Sequence, residues 1–451
     1  MEFQDMENAT AVGPRSTELF ERARRVLPDG TTRVTIERDP VPRYFSHGRG
    51  AYVYDVDGKP FLDLNGNYTT LINGHAFEPV IRAVEQQLRS GACFANPTES
   101  EIALADLLCS RVPHLERLRF ANTGTEAVMF AVKAARAFTG RSGIAKIEGA
   151  YHGAYDWVEV GQASTPEDWG SAEEPSSTSY YRGMPDSVLR EVAVLRFNDA
   201  EGARRILAAR AKDLAAVLID PMPSRAGLIA PTPEFIAAVQ ETARAHDILV
   251  ISDEVLNFRQ SYRGASDRYS VTPDIFAFGK IIGGGLPIGA IGGRADVMSV
   301  FDASKGRPAL PQGGTFAANP LSMSAGFASM QALTPQAFDH LEALGDRLRG
   351  RLADAIQSRQ APFCVTGAAS LFRIHTKRRQ PNEFREAYAS PAEADVMKAI
   401  SRYFAAQGII IPSSTSASLS TPMTSAEMDM VADVFDRFLE TQSASYESLL
   451  S

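Results

Sequence analysis

The stretch Asp274-Ile-Phe-Ala-Phe-Gly-Lys280-Ile-Ile-Gly-Gly-Gly-Leu-Pro287 sets a single lysine directly after an apolar run and surrounds it with glycines. The apolar residues 275–278 predict a buried strand, and Gly279 with the glycines at 283–285 allows other backbone to approach Lys280 closely. This setting is expected for a lysine that forms a Schiff base. On this stretch alone, an ordinary surface lysine remains the alternative.

A second residue extends this hypothesis to a cofactor. Asp253 follows the apolar run 248–252, and a buried carboxylate there can keep a pyridine nitrogen protonated, which makes the ring an electron sink. Taken alone, Asp253 and Glu254 would fit the start of a loop or a helix cap. The combination of Asp253 with Lys280 predicts that the protein binds pyridoxal 5′-phosphate.

Helical and apolar strand patterns alternate along much of the chain from about Glu78. Helical segments such as Thr125–Thr139 and Pro233–Ala245 are interleaved with strand candidates such as Leu214–Ile219 and Ile248–Ser252. Short strands that are apolar throughout, rather than at every second residue, are typical of sheets covered on both faces. The sequence therefore predicts an α/β fold with a mostly parallel central sheet flanked by helices, with catalytic groups at the carboxyl ends of the strands.

The pattern predicts three segments. Residues 1–75 form an N-terminal segment that contributes to a small domain and to the active site, 76–333 form the large cofactor-binding domain, and 334–451 form a small C-terminal α+β domain. Residues 162–184 break the periodicity. We interpret them as a long excursion, either near the mouth of the site or as a plain surface loop.

Charge and hydropathy exclude some classes of partner. The chain has 46 Lys and Arg against 54 Asp and Glu, a formal net charge of −8, whereas phosphate backbones are bound by clustered Lys and Arg. The longest apolar runs, such as Leu214–Ile219, fall far below the roughly 20 residues of a membrane-spanning helix. We expect neither a nucleic-acid nor a membrane partner.

The N-terminus and the cysteines favour a cytoplasmic location. Residues 1–7 are acidic and are not followed by an apolar core, so no signal peptide is predicted. An odd number of widely spaced cysteines fits a reducing compartment; they are Cys93, Cys109 and Cys364. No pair of histidines has zinc-site spacing, so we predict no metal.

Three further motifs suit a phosphate and an aromatic ring. Asn122-Thr-Gly-Thr-Glu126 precedes a helical pattern, where free backbone N–H groups and hydroxyls could bind phosphate, although for this motif alone an ordinary helix cap is the favoured interpretation. Tyr151-His-Gly153 offers an aromatic ring for stacking. The loop Gly313-Gly-Thr315 could supply a second phosphate ligand.

In their order along the chain, these motifs resemble those of class III aminotransferases of PLP fold type I. The resemblance covers about residues 19–439 and rests on six motifs: Asn122-Thr-Gly-Thr-Glu-Ala127, Tyr151-His-Gly153, Asp220-Pro221, Asp253-Glu-Val255, Gly279-Lys-Ile-Ile-Gly-Gly-Gly285 and Gly314-Thr-Phe-Ala-Ala-Asn-Pro320. The stretch from Lys280 to Gly293, Gly74-His75 and residues 94–101 are similar to the branch of glutamate-1-semialdehyde aminomutases and β-amino-acid aminotransferases.

The resemblance implies roles for the matching residues. Lys280 would carry the internal aldimine, and Asp253 would pair with the pyridinium nitrogen. Val255 and Tyr151 would face the two sides of the ring. The implied phosphate ligands are Gly124, Thr125 and Thr315. In this family the threonine matching Thr315 reaches the cofactor of the neighbouring subunit, so a homodimer with shared active sites is expected.

The resemblance also implies a reaction. An amino group would pass from an amino acid or amine donor to a 2-oxo acid, through pyridoxamine phosphate, with the amine of Lys280 as general base. Intramolecular amino transfer, as in the aminomutases, is the nearest alternative. A non-catalytic PLP-fold binding protein is a third, disfavoured because both Lys280 and Asp253 are present.

Departures from the family pattern bear on the substrate. Where the aminomutases have a tryptophan, this chain has Tyr68, and their acidic residue in the C-terminal segment is replaced near Thr415. Arg33 matches an arginine that binds the substrate carboxylate in β-amino-acid aminotransferases, while a surface-loop role stays open. The second such arginine is replaced by Ser414. We predict Arg33 and Tyr68 as substrate-binding residues. Two further departures are a loop one residue shorter at Leu256-Asn-Phe-Arg259 and Gln312 in place of a histidine.

Overall fold

The computed structural model describes residues 12–38, 41–443 and 446, which form two compact units. The first unit combines the described residues up to Phe77 with His340–Gln380 and the described residues from Ala389 onward. The second comprises Glu78–Asp339 and Pro381–Tyr388. The stretch Pro381–Tyr388 lies within the segment predicted as the C-terminal domain but packs with the second unit. No helix in the described part of the chain could span a membrane, since none is both long and apolar enough.

The described residues contain fourteen strands. They are β1 (Phe45–Arg49), β2 (Tyr52–Asp55), β3 (Pro60–Asp63), β4 (Arg117–Ala121), β5 (Gly143–Ile147), β6 (Val192–Leu195), β7 (Leu214–Ile219), β8 (Leu249–Asp253), β9 (Ile275–Gly279), β10 (Gly289–Gly293), β11 (Cys364–Thr366), β12 (Leu371–His375), β13 (Ile409–Ile410) and β14 (Ser416–Ser418).

Sixteen α-helices accompany these strands in the same residues. They are α1 (Pro14–Ala23), α2 (Gly66–Thr69), α3 (Glu78–Ser90), α4 (Glu99–Arg111), α5 (Gly124–Thr139), α6 (Asp156–Glu159), α7 (Asp186–Glu191), α8 (Ala200–Ala209), α9 (Pro233–Ala245), α10 (Ala265–Arg268), α11 (Ala295–Met298), α12 (Pro320–Ala332), α13 (Pro335–Ser358), α14 (Phe384–Ala387), α15 (Pro391–Ala406) and α16 (Ser425–Thr441).

The first unit contains two small sheets. One has the order β1-β2-β3-β13, and the other has the order β11-β12-β14. The antiparallel pair β2 and β3 joins β13 in parallel register, so strands from both ends of the sequence share one sheet. Capping boxes begin α15 at Ser390 and α16 at Thr424, where each hydroxyl accepts a backbone N–H of the first turn and satisfies a donor that the helix leaves open.

The second unit is built on a seven-stranded sheet of order β4-β10-β9-β8-β7-β5-β6. Strands β6, β5, β7, β8 and β9 run parallel, and only β10 is antiparallel to both of its neighbours. Every residue of β5, β7, β8 and β9 is buried. One apolar layer including α5 covers one face, and another including α8 and α9 covers the other. The predicted α/β fold with a mostly parallel sheet is confirmed.

Strand β10 was not predicted, because its sequence Gly-Ala-Ile-Gly-Gly has little strand propensity. Its glycines are explained by close neighbours. A Cβ atom at Gly289 would overlap the backbone carbonyl of Thr123, and one at Gly292 would overlap Leu115. The strand therefore carries glycine where other backbone and side chains approach it.

The topology collects the predicted site residues of the second unit at one edge. Because β4, β5, β7, β8 and β9 share one direction, the segments after their carboxyl ends lie along the same side of the sheet. These segments carry the predicted candidates in Asn122–Thr125, Tyr151, Asp253 and Lys280, and also Asp220, for which no role was predicted.

Candidate active site

Lys280 directly follows β9 and begins a short 3₁₀ turn, Lys280–Gly283. Its backbone is left-handed, with φ of +48°, a conformation that is uncommon for residues other than glycine and clusters at functional sites. A Cβ atom at the preceding Gly279 would lie 3.3 Å from Val255 Cγ1 and 3.4 Å from Gly124 Cα. The glycine before the lysine thus lets β9 end against Gly124 and Val255.

The amine of Lys280 is uncommitted. Lys280 is half-buried, and its Nζ makes no hydrogen bond or ion pair with any residue that the structure describes. Burial lowers the pKa of Lys280, although the nearby Asp253 and Asp220 act in the opposite direction. At a given pH, a larger share of this side chain is therefore the neutral amine than for an ordinary lysine.

Asp253 ends β8 and is held by two donors. Its Oδ1 accepts the backbone N–H of Val255 at 2.9 Å, and its Oδ2 lies 2.7 Å from Nδ1 of His152. Both side chains are buried. Burial lowers the pKa of His152, against the opposing effect of Asp253. Nδ1 of His152 donates to the Asp253 carboxylate, and its buried Nε2 has no partner in the described residues.

Glu254 caps a helix, which was the alternative role considered for Asp253 and Glu254 on the sequence alone. Its carboxylate accepts the backbone N–H groups of Ala265 at 3.0 Å and Ser266 at 2.6 Å, at the start of α10. Burial raises the pKa of Glu254. The two adjacent acids therefore differ in their contacts. Glu254 caps a helix, while Asp253 lies near Lys280.

A second acid, Asp220, follows β7 in the same cluster. Its Oδ1 accepts the backbone N–H of Met222 at 2.9 Å and the side-chain amide of Asn257. Burial raises the pKa of Asp220 well above its usual range, and the neighbouring Asp253 raises it further. Asn257 lies in the 3₁₀ turn Asn257–Gln260, so the segment that follows β8 supplies a direct partner to Asp220.

The predicted phosphate site lies at the start of α5. The hydroxyl of Thr123 accepts the backbone N–H of Glu126 at 3.0 Å, so Thr123 is an ordinary N-cap. The N–H groups of Gly124 and Thr125 have no acceptor among the described residues, as expected at a helix N-terminus. A Cβ at Gly124 would lie 2.8 Å from Val255 Cγ1, so Val255 packs directly against this terminus.

Tyr151 and Thr315 are the more exposed candidates. The ring of Tyr151 is 50% exposed and lies 5.2 Å from the guanidinium carbon of Arg225. Burial of its hydroxyl raises the pKa of Tyr151. Thr315 is exposed, and the structure gives it no contact with the other candidates in the described residues. A Cβ at the adjacent Gly314 would lie 3.7 Å from Asn122 Nδ2.

The two predicted substrate residues lie together in the first unit. Arg33 Nη1 donates to Asn67 Oδ1 at 3.1 Å, and its guanidinium carbon lies 5.5 Å from the ring centre of Tyr68. The hydroxyl of Tyr68 is 2.7 Å from Thr35 Oγ1. Asn67 and Tyr68 both have positive φ, so this turn holds a strained backbone.

The structure also shows the surroundings of the residues predicted to differ from the family pattern at Ser414, Thr415 and Gln312. Ser414 is exposed, whereas Thr415 is fully buried and donates its hydroxyl to the carbonyl oxygen of Ile374 at 2.5 Å. The hydroxyl of Thr415 is therefore committed to the packing of this segment. Gln312 donates from Nε2 to the Phe120 carbonyl at 3.1 Å.

The described residues fit pyridoxal 5′-phosphate. Two free N–H groups at a helix N-terminus suit a phosphate, a buried carboxylate suits a pyridinium nitrogen, and an uncommitted amine of lowered pKa suits an aldehyde carbon. His152, Asp220 and Asn257 also belong to the cluster; the motifs that contain them were recognised in the sequence, but no role was predicted for these three residues. Their contacts can be recognised only in three dimensions, because His152, for example, contacts a residue 101 positions away in sequence.

Fold and site together define a PLP-dependent enzyme of fold type I. The chain belongs to the class III aminotransferase family, which it matches over residues 34–440. Enzymes of this family use pyridoxal 5′-phosphate. The predicted family, cofactor and enzyme class are therefore confirmed.

Three known proteins illustrate the similarity. An omega-transaminase from Sphaerobacter thermophilus is 46% identical, with a TM-score of 0.92 and coverage of 95% of this chain and 98% of that one. A beta-phenylalanine aminotransferase from Variovorax paradoxus is 30% identical, with a TM-score of 0.87 and 98% coverage of both chains. A glutamate-1-semialdehyde 2,1-aminomutase from Methanothermobacter thermautotrophicus is 38% identical over 362 residues, 80% of this chain and 83% of that protein. Both transfer between molecules and an internal amino shift are compatible with these relatives.

The lowered pKa of Lys280 predicts its reactivity. In the cofactor-free protein, trace acetylation followed by peptide mass spectrometry should modify Lys280 at a lower pH than the exposed Lys212, because the neutral amine is the nucleophile. Added pyridoxal 5′-phosphate should protect Lys280 and leave Lys212 unaffected. Equal pH profiles for the two lysines would contradict the assignment.

Proposed function

We propose that the protein is an aminotransferase that moves an amino group from an amino acid or amine donor to a 2-oxo acid. The observation that carries this proposal is the uncommitted amine of Lys280, of lowered pKa, in the same cluster as the Asp253–His152 pair. A base and an electron-sink partner in one cluster suit removal of a proton next to nitrogen.

Each residue of the cluster has a distinct task in this proposal. Lys280 Nζ would hold the cofactor covalently and, once a substrate amine has displaced it, would take the proton from the substrate carbon. Asp253, fixed by His152 and the Val255 N–H, would hold the proton on the ring nitrogen. The bound cofactor supplies the electron sink that makes the substrate proton removable.

Binding and orientation fall to the remaining residues. The N–H groups of Gly124 and Thr125 would bind the phosphate at the positive end of the α5 dipole. Val255 would contact one face of the ring, because it packs against Gly124 and Gly279. The ring of Tyr151 would lie toward the other face.

The aminomutase reaction is the second candidate. It is supported by the identity of 38% to an enzyme of that name. Transfer between molecules is favoured by Tyr68 and by the replacement near Thr415, which differ from the residues expected of aminomutases at those places, and by the identity of 46% to an omega-transaminase. The choice concerns the substrate, since both reactions use the same groups around Lys280.

Substrate recognition is proposed to involve Arg33 and Tyr68. The guanidinium of Arg33 is oriented by Asn67 and lies over the Tyr68 ring, and a planar cation of this kind binds a carboxylate through two hydrogen bonds. Only one arginine is present where the β-amino-acid aminotransferases are expected to have two, because Ser414 replaces the other.

A homodimer with shared active sites is also proposed. Helix α3 buries none of its residues within the described chain, although it carries apolar side chains. Large apolar side chains more than a third exposed occur on this helix and beyond it in the second unit; they include Ile81, Leu88, Phe94, Ile102 and Phe316. Exposed apolar groups of this size are typical of protein interfaces, and Phe316 adjoins Thr315, the proposed ligand of a partner's cofactor.

A cytoplasmic location is proposed on the basis of the cysteines. All three, Cys93, Cys109 and Cys364, are unpaired in the structure, as expected of a protein in a reducing compartment. Recovery of the native protein in the cytosolic fraction of its own cells would support this location, and recovery with a membrane or secreted fraction would contradict it.

The reaction is tested with the purified holoenzyme. Incubation with pyruvate or 2-oxoglutarate and a panel of amines and amino acids should yield the aminated 2-oxo acid. The Lys280→Ala variant should lose at least about 10³-fold in rate, since it lacks the general base. Isomerisation of glutamate 1-semialdehyde without any transfer to a 2-oxo acid would select the aminomutase, and retained turnover in Lys280→Ala would refute both.

The role of Arg33 predicts a selective defect. Arg33→Met should raise KM about 10- to 100-fold for 3-amino-3-phenylpropanoate, because a charge-assisted pair is lost, and should leave KM unchanged for 1-phenylethylamine, which has no carboxylate. Arg25→Met, a change of another exposed arginine, serves as the control. An equal effect on both donors would indicate that Arg33 has only a surface role.

The proposed dimer predicts that a charged side chain on α3 weakens the association of the two subunits. Leu88→Glu should shift the protein toward monomer in light scattering and weaken cofactor binding, because a carboxylate would be buried in an apolar interface. Val26→Glu, at an apolar residue that is 80% exposed in the first unit, should change neither. A wild-type protein that is monomeric at micromolar concentration would overturn the proposal.

A further inference from the structure

Lys146 is a buried lysine with no role in the reaction described above. It is the fourth residue of β5, and its side chain is completely buried. Its Nζ donates to three backbone carbonyl oxygens, those of Ile147 at 3.0 Å, Ala150 at 3.3 Å and Val160 at 2.9 Å. A protonated amine has three N–H donors and no acceptor, so the three carbonyls satisfy it completely.

The three carbonyls belong to one loop. Residues 147–160, here the Tyr151 loop, leave β5 and return through the short helix α6. The carbonyls of Ile147 and Ala150 lie at its beginning and that of Val160 at its end, so one amine joins both ends. The backbone N–H of Gly149 adds a bond of 2.8 Å to the carbonyl of Gly161.

The middle of this loop carries the groups that face the cofactor site. Tyr151 and His152 lie between the anchored ends, in a segment without regular secondary structure. His152 Nδ1 is 2.7 Å from Asp253 Oδ2, and the backbone N–H of Ala154 donates to Thr125 Oγ1 at 3.2 Å. Any shift of the loop therefore reaches Asp253 through His152.

Removal of the hydrogen bonds between Lys146 Nζ and the loop carbonyls is expected to be energetically unfavourable. Burial lowers the pKa of Lys146 to about 7, with Glu148 raising it and Arg225 lowering it. An apolar side chain at this position would leave the carbonyls of Ala150 and Val160 without a donor, since the structure gives them no other partner in the described residues. Buried carbonyls without a donor are strongly disfavoured, so the loop would rearrange to reach another donor or water.

We propose that Lys146 is a positioning residue for the cofactor site, which holds both ends of the Tyr151 loop so that His152 keeps Asp253 in place. This inference rests on the proposed role of Asp253 as the partner of the ring nitrogen. Lys146 itself touches neither substrate nor cofactor in this proposal, and its effect passes through the hydrogen bond between His152 and Asp253.

The test is a double-mutant cycle of Lys146→Met and His152→Phe in the full-length holoenzyme. Two readouts are used, the dissociation constant of pyridoxal 5′-phosphate and the pH midpoint of the absorbance change of the bound cofactor. Lys146→Met alone should weaken cofactor binding about tenfold and shift the midpoint. In the His152→Phe background the same substitution should shift the midpoint little further, because the path to Asp253 is already broken.

Controls separate positioning from general destabilisation. Lys212→Met, at an exposed lysine, should change neither readout. Lys146→Arg keeps a buried cation but cannot match three acceptors arranged around a single amine, and it replaces Lys146→Met in the cycle if that variant does not fold. Thermal melting of each cofactor-free variant measures the loss of stability separately.

The outcomes distinguish the two proposals. Equal midpoint shifts from Lys146→Met in both backgrounds, or a lower melting temperature without any midpoint shift, would overturn the positioning role and leave Lys146 as a purely structural residue. Failure of the wild-type protein to bind pyridoxal 5′-phosphate would instead refute the proposed function. A midpoint shift that disappears in the His152→Phe background would support the positioning role.

Discussion

The shared direction of β7, β8 and β9 is the constraint on which the site depends. It places Asp220, Asp253 and Lys280 along one edge of the sheet although they are 27 to 60 residues apart in sequence. At that edge, burial acts in opposite directions on the acid and the base. It raises the pKa of Asp220 and lowers the pKa of Lys280, because it disfavours the charged form of each. Burial therefore favours the neutral form of each group relative to a free side chain.

The sequence was sufficient for the fold, and the structure brings the two residues predicted as its reactive groups to one edge of the sheet. Strands that are apolar throughout, between helical patterns, predicted the parallel sheet, since burial on both faces leaves no alternation to detect. Lys280 and Asp253 were predicted as site residues because each follows such a strand and because their motifs resemble those of the family. Strand β10 was missed because glycines replace the side chains that would have marked it.

The supporting residues could not be deduced in this way. His152 acts through a partner 101 positions away, and Lys146 appears in the sequence as a polar residue within an apolar strand. Its partners are backbone carbonyl oxygens, which every residue has, so the identity of the neighbouring residues does not reveal them. The contact between Asn257 and Asp220 likewise depends on the path of the loop that follows β8. Hydrogen bonds of this kind are set by the packed backbone and become visible only in three dimensions.

The glycines of β10 have a mechanical consequence for the helix that begins at Gly124. Because a Cβ atom at Gly289 would collide with the carbonyl of Thr123, the first turn of this helix rests on bare main chain. The backbone of a hydrogen-bonded sheet has no side-chain rotamers that could change. The distance between this first turn and the sheet is therefore fixed. Substitutions elsewhere in the hydrophobic layers are therefore expected to alter packing without moving the terminus that is proposed to bind the phosphate.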